Sequence, residues 1–465
     1  MEKFFKIKER GSTVKTEMMA GLTTFMAMAY ILMVNAAMFA NLDGISYNAM
    51  YISTAISAVI GTLFIAFIAN LPLGLAPGMG LNAYFVYTIC LTFGLSYANA
   101  LVLVLLDGVL FMVLTVTGVR AKLFAAIPDC VRKAIPAGIG LFIAFLGLQN
   151  AGIVVADSST AVNLSSFNIL GGNATWADIM PKLVTILALI IIAVMAHKKV
   201  KGAVFGGIIG GALLYYILGF TVPGFYDGFA EKLSFNPFNA FAEWGTDCFG
   251  KVFTEGFDFS AYLANHSTGD LVLVIITSAL ALCLVDMFDT LGTLYGACSR
   301  GKMLTKDGEV PNFEKAMLSD AVATTLGSVC GTSTVTTFVE SSAGVAEGGR
   351  TGFAALTTGA LFFIAMFLSP VAALIPGSAT AAALIYVGVL MIGGVVDLDW
   401  NDAAVAVPSF MTVAMMPFTY NISYGIAFGL ISYVLIKCFT GKVKDIKIFT
   451  WVIAILFTIM FLVTH

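Results

Sequence analysis

Three carboxylates stand where a membrane would have to bury them. Asp286 and Asp289 lie in Leu284-Val-Asp286-Met-Phe-Asp289-Thr290-Leu-Gly292, and Glu340 follows Thr336-Thr337-Phe338-Val339. Charged side chains at membrane depth are costly and mark substrate or ion pathways by default. Asp286 and Asp289, spaced i and i+3, project toward one side of a helix. Desolvation disfavours the charged form of a carboxylate. No Lys or Arg falls at the same depth to pair with Asp289 or Glu340. Such acids can take up a proton on one side of a membrane and release it on the other. Asp289 and Glu340, supported by Asp286, are therefore the candidate proton-coupling groups. Sodium stays open, since Asp286, Thr290 and freed carbonyls could build an oxygen cage. The competing role for each acid is structural, as an acceptor for hydroxyls or N–H groups inside a bundle. For Asp286, and for Asp107 in the fourth segment, that structural role is the leading one.

Two interrupted apolar segments frame these acids. One reads Pro72-Leu-Gly74-Leu-Ala-Pro77-Gly78-Met-Gly80-Leu-Asn82-Ala-Tyr84-Phe85, the other Thr332-Ser-Thr-Val-Thr336-Thr337-Phe338-Val-Glu340-Ser341-Ser342-Ala-Gly344. Each breaks helix or favours extended backbone, and each then resumes as helix, near Leu81 and Val339. Non-helical backbone inside a bilayer persists only where protein buries it or it lines a polar cavity. A matched pair of such breaks is the best pointer in a sequence to a transporter's binding site. The first N–H groups of a resumed helix lack intrahelical partners and carry the positive end of its dipole. Together with carboxylate acceptors they match a flat heterocycle with alternating C=O and N–H edges. An inorganic anion would be repelled. Asn82 can donate and accept, and Tyr84 and Phe338 could flank a ring, ordinary packing being their alternative.

The elements that position these groups follow from composition. Only 11% of the 465 residues are charged and 59% are hydrophobic, against about 25% charged in a soluble domain. The chain is an all-α polytopic membrane protein. Its N-terminus is basic and polar, with no cleavable signal pattern. Spans are expected near 17–40, 49–70, 98–119, 134–152, 180–197 and 202–220, then 269–296, 313–330, 352–374, 379–397, 402–418, 421–439 and 448–464. The interrupted segments, 76–95 and 332–350, bring each half to seven, with one extra C-terminal helix. With the N-terminus cytoplasmic, 21 of the 24 basic residues fall in inner loops, as orientation by positive charge requires. Lys182, Lys232 and Lys251 are the exceptions. The interval 151–178 and the acidic, aromatic loop 222–268 then lie outside.

Seven is odd, so the second half enters the membrane in the opposite sense, as an inverted repeat. Gly202-Ala-Val-Phe205-Gly206 and Gly425-Ile-Ala-Phe428-Gly429 share G-x-x-F-G at the start of the seventh segment of each half. The fold class is thus a 7+7 inverted-repeat transporter fold with two discontinuous segments containing short extended stretches. Seven scattered cysteines without a CxxC pair and three separated histidines give no metal or redox site. No cofactor and no nucleic-acid partner are expected; the partners are a small ligand and the lipid bilayer.

The interrupted segments, Asp286-Met-Phe-Asp289-Thr-Leu-Gly292-Thr, Glu340-Ser-Ser-Ala-Gly344-Val-Ala-Glu347-Gly-Gly-Arg350-Thr-Gly352 and Thr16-Glu17-Met-Met-Ala-Gly21-Leu-Thr23-Thr24-Phe-Met-Ala-Met-Ala-Tyr30 resemble the azaguanine/hypoxanthine permease branch of the nucleobase–cation symporter-2 family. The resemblance spans essentially the whole chain. It implies purine nucleobase uptake driven by protons across the cell membrane, and a possible homodimer. It implies a core domain moving against a gate domain. After a cytoplasmic N-terminus (1–16), the core comprises 17–120 and 269–375 and the gate 121–221 and 376–440. The loop 222–268 is extracellular and 441–465 is the extra helix. By position, Glu340 matches the family's substrate-binding glutamate and Asn82 the branch's asparagine. Asp289 stands where relatives that take uracil or xanthine usually carry glutamate. Ala83, Ser341 and Thr24, within the shared motifs, join the implied substrate site.

Two other readings compete. An anion carrier of similar fold would want a cation near the breaks, where this chain puts carboxylates. An intramembrane aspartyl-type enzyme would leave the breaks and the repeat without a role.

Overall fold

The computed structural model describes residues 2–117, 127–227, 236–305 and 309–464. Arg120, Lys122, Glu231, Lys232, Lys306 and the boundary expected at 120/121 lie outside the described residues.

The first half comprises α1 (Val14–Phe39), α2 (Tyr47–Ala69), β1 (Leu75–Pro77), α3 (Met79–Thr92), α4 (Tyr97–Thr117), α5 (Asp129–Asn150), α6 (Trp176–His197) and α7 (Ala203–Gly219). A hairpin of β2 (Val154–Asp157) and β3 (Ala161–Leu164) joins α5 to α6, in an interval expected only to be a loop. The second half comprises α8 (Thr268–Arg300), α9 (Phe313–Cys330), β4 (Val335–Thr337), α10 (Ser341–Ala346), α11 (Gly352–Ala372), α12 (Gly377–Met391), α13 (Ala403–Phe418) and α14 (Ile422–Phe439), with α15 (Ile448–Thr464) beyond. Among the described residues eight helices are long and apolar enough to cross a membrane, and five more are apolar but shorter.

The two halves repeat each other in detail. α2 and α9 are both stopped by a left-handed residue, Asn70 (φ 52°) and Gly331 (φ 91°), which lets the chain turn back at once toward the interior. Each following strand is held by a threonine of the helix before it. Thr62 donates to the Leu75 carbonyl and Thr324 to the Val335 carbonyl, both at 3.0 Å. The paired glycine motifs do equivalent work. A Cβ on Gly206 would meet Met195 of α6, and one on Gly429 would meet Thr412 of α13, so each seventh helix packs tightly on the sixth.

Helices α1, α2, α4, α8, α9 and α11 pack on one another, and so do α5, α6, α7, α12, α13 and α14. The described part of the long loop between α7 and α8 folds over the end of α9. Trp244 Nε1 donates to the Cys330 carbonyl at 2.9 Å, and the Gly250 N–H to the Val329 carbonyl at 2.8 Å. Carbonyls that the helix end would orphan are thereby satisfied.

Candidate functional site

The two breaks meet at the centre of the first bundle as an antiparallel ladder, pairing Leu75 with Thr337, Ala76 with Thr336 and Pro77 with Val335. The ladder answers the question a broken membrane segment poses, which is where its backbone hydrogen bonds go. Gly78 N–H donates to the Thr334 carbonyl and Phe338 N–H to the Gly74 carbonyl, each at 3.0 Å. The resumed helices begin at Met79 and Ser341, two residues from the expected starts, and lead away from the ladder on opposite sides.

Against the ladder lies a cavity of about 220 Å³, below the roughly 300–1,000 Å³ of drug-sized ligand sites. It therefore suits a small ligand. Asp289 and Glu340 line it together, with Tyr30, Thr336, Thr337 and Phe338. Gly78, Met79 and Gly80 bring the start of α3 to the same wall, while Pro136 of α5 and Val387, Leu390 and Met391 of α12 close the far side. One wall thus belongs to each helix bundle. Glu340 Oε1 accepts a hydrogen bond from the Tyr30 hydroxyl at 2.7 Å.

The remaining sequence-derived candidates sit elsewhere. Asn82 is buried beside the cavity rather than on it; its amide donates to the Pro77 carbonyl at 3.3 Å and its oxygen accepts from the Ser333 hydroxyl. It joins the two breaks. Ser341 does likewise, its hydroxyl accepting from the Gly74 N–H at 2.9 Å. Ala83, Tyr84 and Thr24 are buried away from the lining, whose aromatic rings are Tyr30 and Phe338. Asp286 is fully buried behind the ladder. An i, i+3 step is about 300° of rotation and 4.5 Å of rise, enough to leave Asp289 on the cavity and carry Asp286 past its edge.

Sequence reasoning missed Tyr30, which reads as one more aromatic in an apolar helix, and the lining residues of α5 and α12, which carry no polar signal. Tyr30→Phe is expected to weaken ligand binding about tenfold, the scale of one hydrogen bond to a charged group. Equilibrium binding to purified protein measures this; unchanged affinity would show that the hydroxyl does not hold Glu340 for the ligand.

Two opposed half-helices meeting over a small polar cavity, inside an inverted repeat, define a secondary transporter. Residues 15–428 match the Permease family, and the chain belongs to it, the nucleobase–cation symporter-2 family. It is 38% identical to a guanine/hypoxanthine permease of Bacillus subtilis (strain 168), over 98% of this chain and 99% of that one. It is 36% identical to an adenine permease of Escherichia coli (strain K12), over 100% of this chain and 97% of that one. Among solved structures, the transmembrane domain of a cyanobacterium bicarbonate transporter shares the fold, with a TM-score of 0.61 at 16% identity over 90% of this chain and 97% of that one.

Proposed function

We propose that this permease imports purine nucleobases by proton symport. The observation that carries the reading is the placement of Asp289 and Glu340 on one small cavity with the start of α3. Carboxylates accept from ring and exocyclic N–H groups, and helix N–H groups donate to ring nitrogens or carbonyls. Purine edges offer both. The names of the guanine/hypoxanthine and adenine relatives agree. An anion fits poorly, because the lining residues include two acids and no Lys or Arg; the bicarbonate transporter shares the fold alone.

In this proposal the core (17–120 and 269–375) and the gate (121–221 and 376–440) move against each other around the ligand. The cavity takes walls from both, so relative motion opens it to one side at a time. The N-terminus is cytoplasmic and the protein sits in the cell membrane, on the placement of its basic residues. Asp289 and Glu340 bind the ligand and exchange the proton.

Radiolabelled purine uptake with unlabelled competitors tests the reading, in proteoliposomes with and without an imposed pH gradient. Saturable uptake that purines compete for, and that an uncoupler stops, is the expected result. Accumulation that stops on sodium removal and survives the uncoupler would overturn the proton assignment.

A further inference from the structure

Behind the ladder lie three more acids, none of them on the cavity. Asp107 of α4, Asp286 of α8 and Asp320 of α9 are each 0% exposed. Helix α4 packs against both α8 and α9. Its approach to α9 is close, since a Cβ on Gly108 would collide with Thr325. Asp107 Oδ2 accepts from the Thr334 hydroxyl at 3.1 Å, and Asp320 Oδ2 from the Thr290 hydroxyl at 2.7 Å. Both oxygens of Asp286, and Oδ1 of Asp107, are buried without a hydrogen-bond partner.

The charged groups acting on Asp286 are Asp320, Asp107 and Asp289, all acids. Three ionised carboxylates in one dry interior would each lose their hydration and repel the others. Neutralisation by protons resolves this. A protonated carboxyl donates one hydrogen bond and keeps acceptor capacity, so Asp286, which has no cation beside it and feels the Thr336 hydroxyl, can hold a proton here. A metal ion is the weaker answer, because no group of three or more His, Cys, Asp or Glu among the described residues has a metal-holding arrangement.

A path joins this cluster to the ligand. Thr336 lines the cavity, its hydroxyl lies 2.7 Å from that of Thr290, and Thr290 reaches Asp320. Hydroxyls donate and accept at once. A proton arriving at Thr336 Oγ1 releases that group's own proton to Thr290 Oγ1, which releases its own to the Asp320 carboxylate. Both hydroxyls then rotate back, and one proton has moved with no other change in bonding.

We propose that Asp107, Asp286 and Asp320 form an internal proton store that exchanges with the ligand cavity through Thr336 and Thr290. The inference rests on the purine–proton symport proposed above, and gives the proton that Asp289 and Glu340 exchange a holding place behind the ladder.

The test uses the full-length protein in proteoliposomes, with Asp320→Asn and Thr290→Val as near-isosteric variants and radiolabelled hypoxanthine as probe. A gradient of about one pH unit sustains about tenfold accumulation when one proton accompanies each ligand. Both variants are expected to bind hypoxanthine and exchange it across the membrane at equal pH, yet to lose that accumulation. Folded variants that accumulate like the parent would overturn the store. A parent protein that fails to accumulate any purine under the gradient would instead overturn the symport reading. An infrared difference spectrum of the unmodified protein, taken on hypoxanthine addition, is independent of whether the variants fold. A change in the protonated-carboxyl C=O band of the unmodified protein that Asp320→Asn shifts or removes supports the store; a band silent in the unmodified protein, or unmoved in a folded Asp320→Asn variant that binds hypoxanthine, overturns it.

Discussion

Glu340→Gln is expected to abolish purine binding and uptake while the protein still folds and inserts. Glutamine keeps the shape of the side chain and one acceptor oxygen. That oxygen is already engaged in the glutamate, where Oε1 accepts from Tyr30. The amide nitrogen then replaces the oxygen left to face the ligand. A donor would meet the donor edge of a purine, and both would be buried unpaired. A hydrogen bond to a charged group is worth about 1.5–3 kcal/mol and a buried unsatisfied group about 1–3 kcal/mol. Together they give about 3–5 kcal/mol, a loss in affinity of two to three orders of magnitude or more. Radioligand binding to detergent-purified protein, with size-exclusion chromatography as the control for folding, measures it. Uptake at the parental rate would remove Glu340 from the site.

What the sequence made legible followed from the bilayer as solvent. Breaks in apolar segments, acids at membrane depth and the sidedness of lysines are violations or consequences of a rule that admits few exceptions, so each stands out singly. The breaks, the opposed halves and the pair Asp289 and Glu340 were readable for that reason. The partner of each break was harder. Pairing of Leu75–Pro77 with Val335–Thr337 joins stretches some 260 residues apart, and no local pattern announces it. The same distance explains Asn82 and Ser341. Their polarity marks a junction between breaks, and a sequence does not distinguish a group that bonds a ligand from one that bonds the other half of the site. Asp320 escaped because α9 also carries Ser319, Thr324 and Thr325; a carboxylate near the polar start of such a helix reads as interfacial. Its neighbours are polar because α9 is surrounded by other helices and faces little lipid.

Glu17 shows how such a buried acid behaves when its role is structural, and its replacement should be strongly destabilising. It sits in the first turn of α1, fully buried. Its two oxygens accept from three backbone N–H groups of the other half: Arg350 at 2.9 Å, Thr351 at 3.3 Å and Ala354 at 3.2 Å. These donors surround the start of α11, so the carboxylate also meets the positive end of that helix's dipole. The nearby cations are used elsewhere. The Arg350 guanidinium turns to the Val345 and Gly349 carbonyls, and Arg10 to those of Asn70 and Arg350. Glu17→Ala orphans three buried donors at about 1–3 kcal/mol each, a loss of about 3–5 kcal/mol after partial relaxation. Glu17→Gln should destabilise less, by about 1–3 kcal/mol, because its amide oxygen can keep the Thr351 and Ala354 N–H groups while its nitrogen meets that of Arg350. Thermal unfolding of purified protein in detergent measures both variants. A glutamine variant as stable as the parent would show that one oxygen is enough. In either variant the surviving folded fraction should bind purine with unchanged affinity, since Glu17 ties α1 to α11 and touches no part of the cavity.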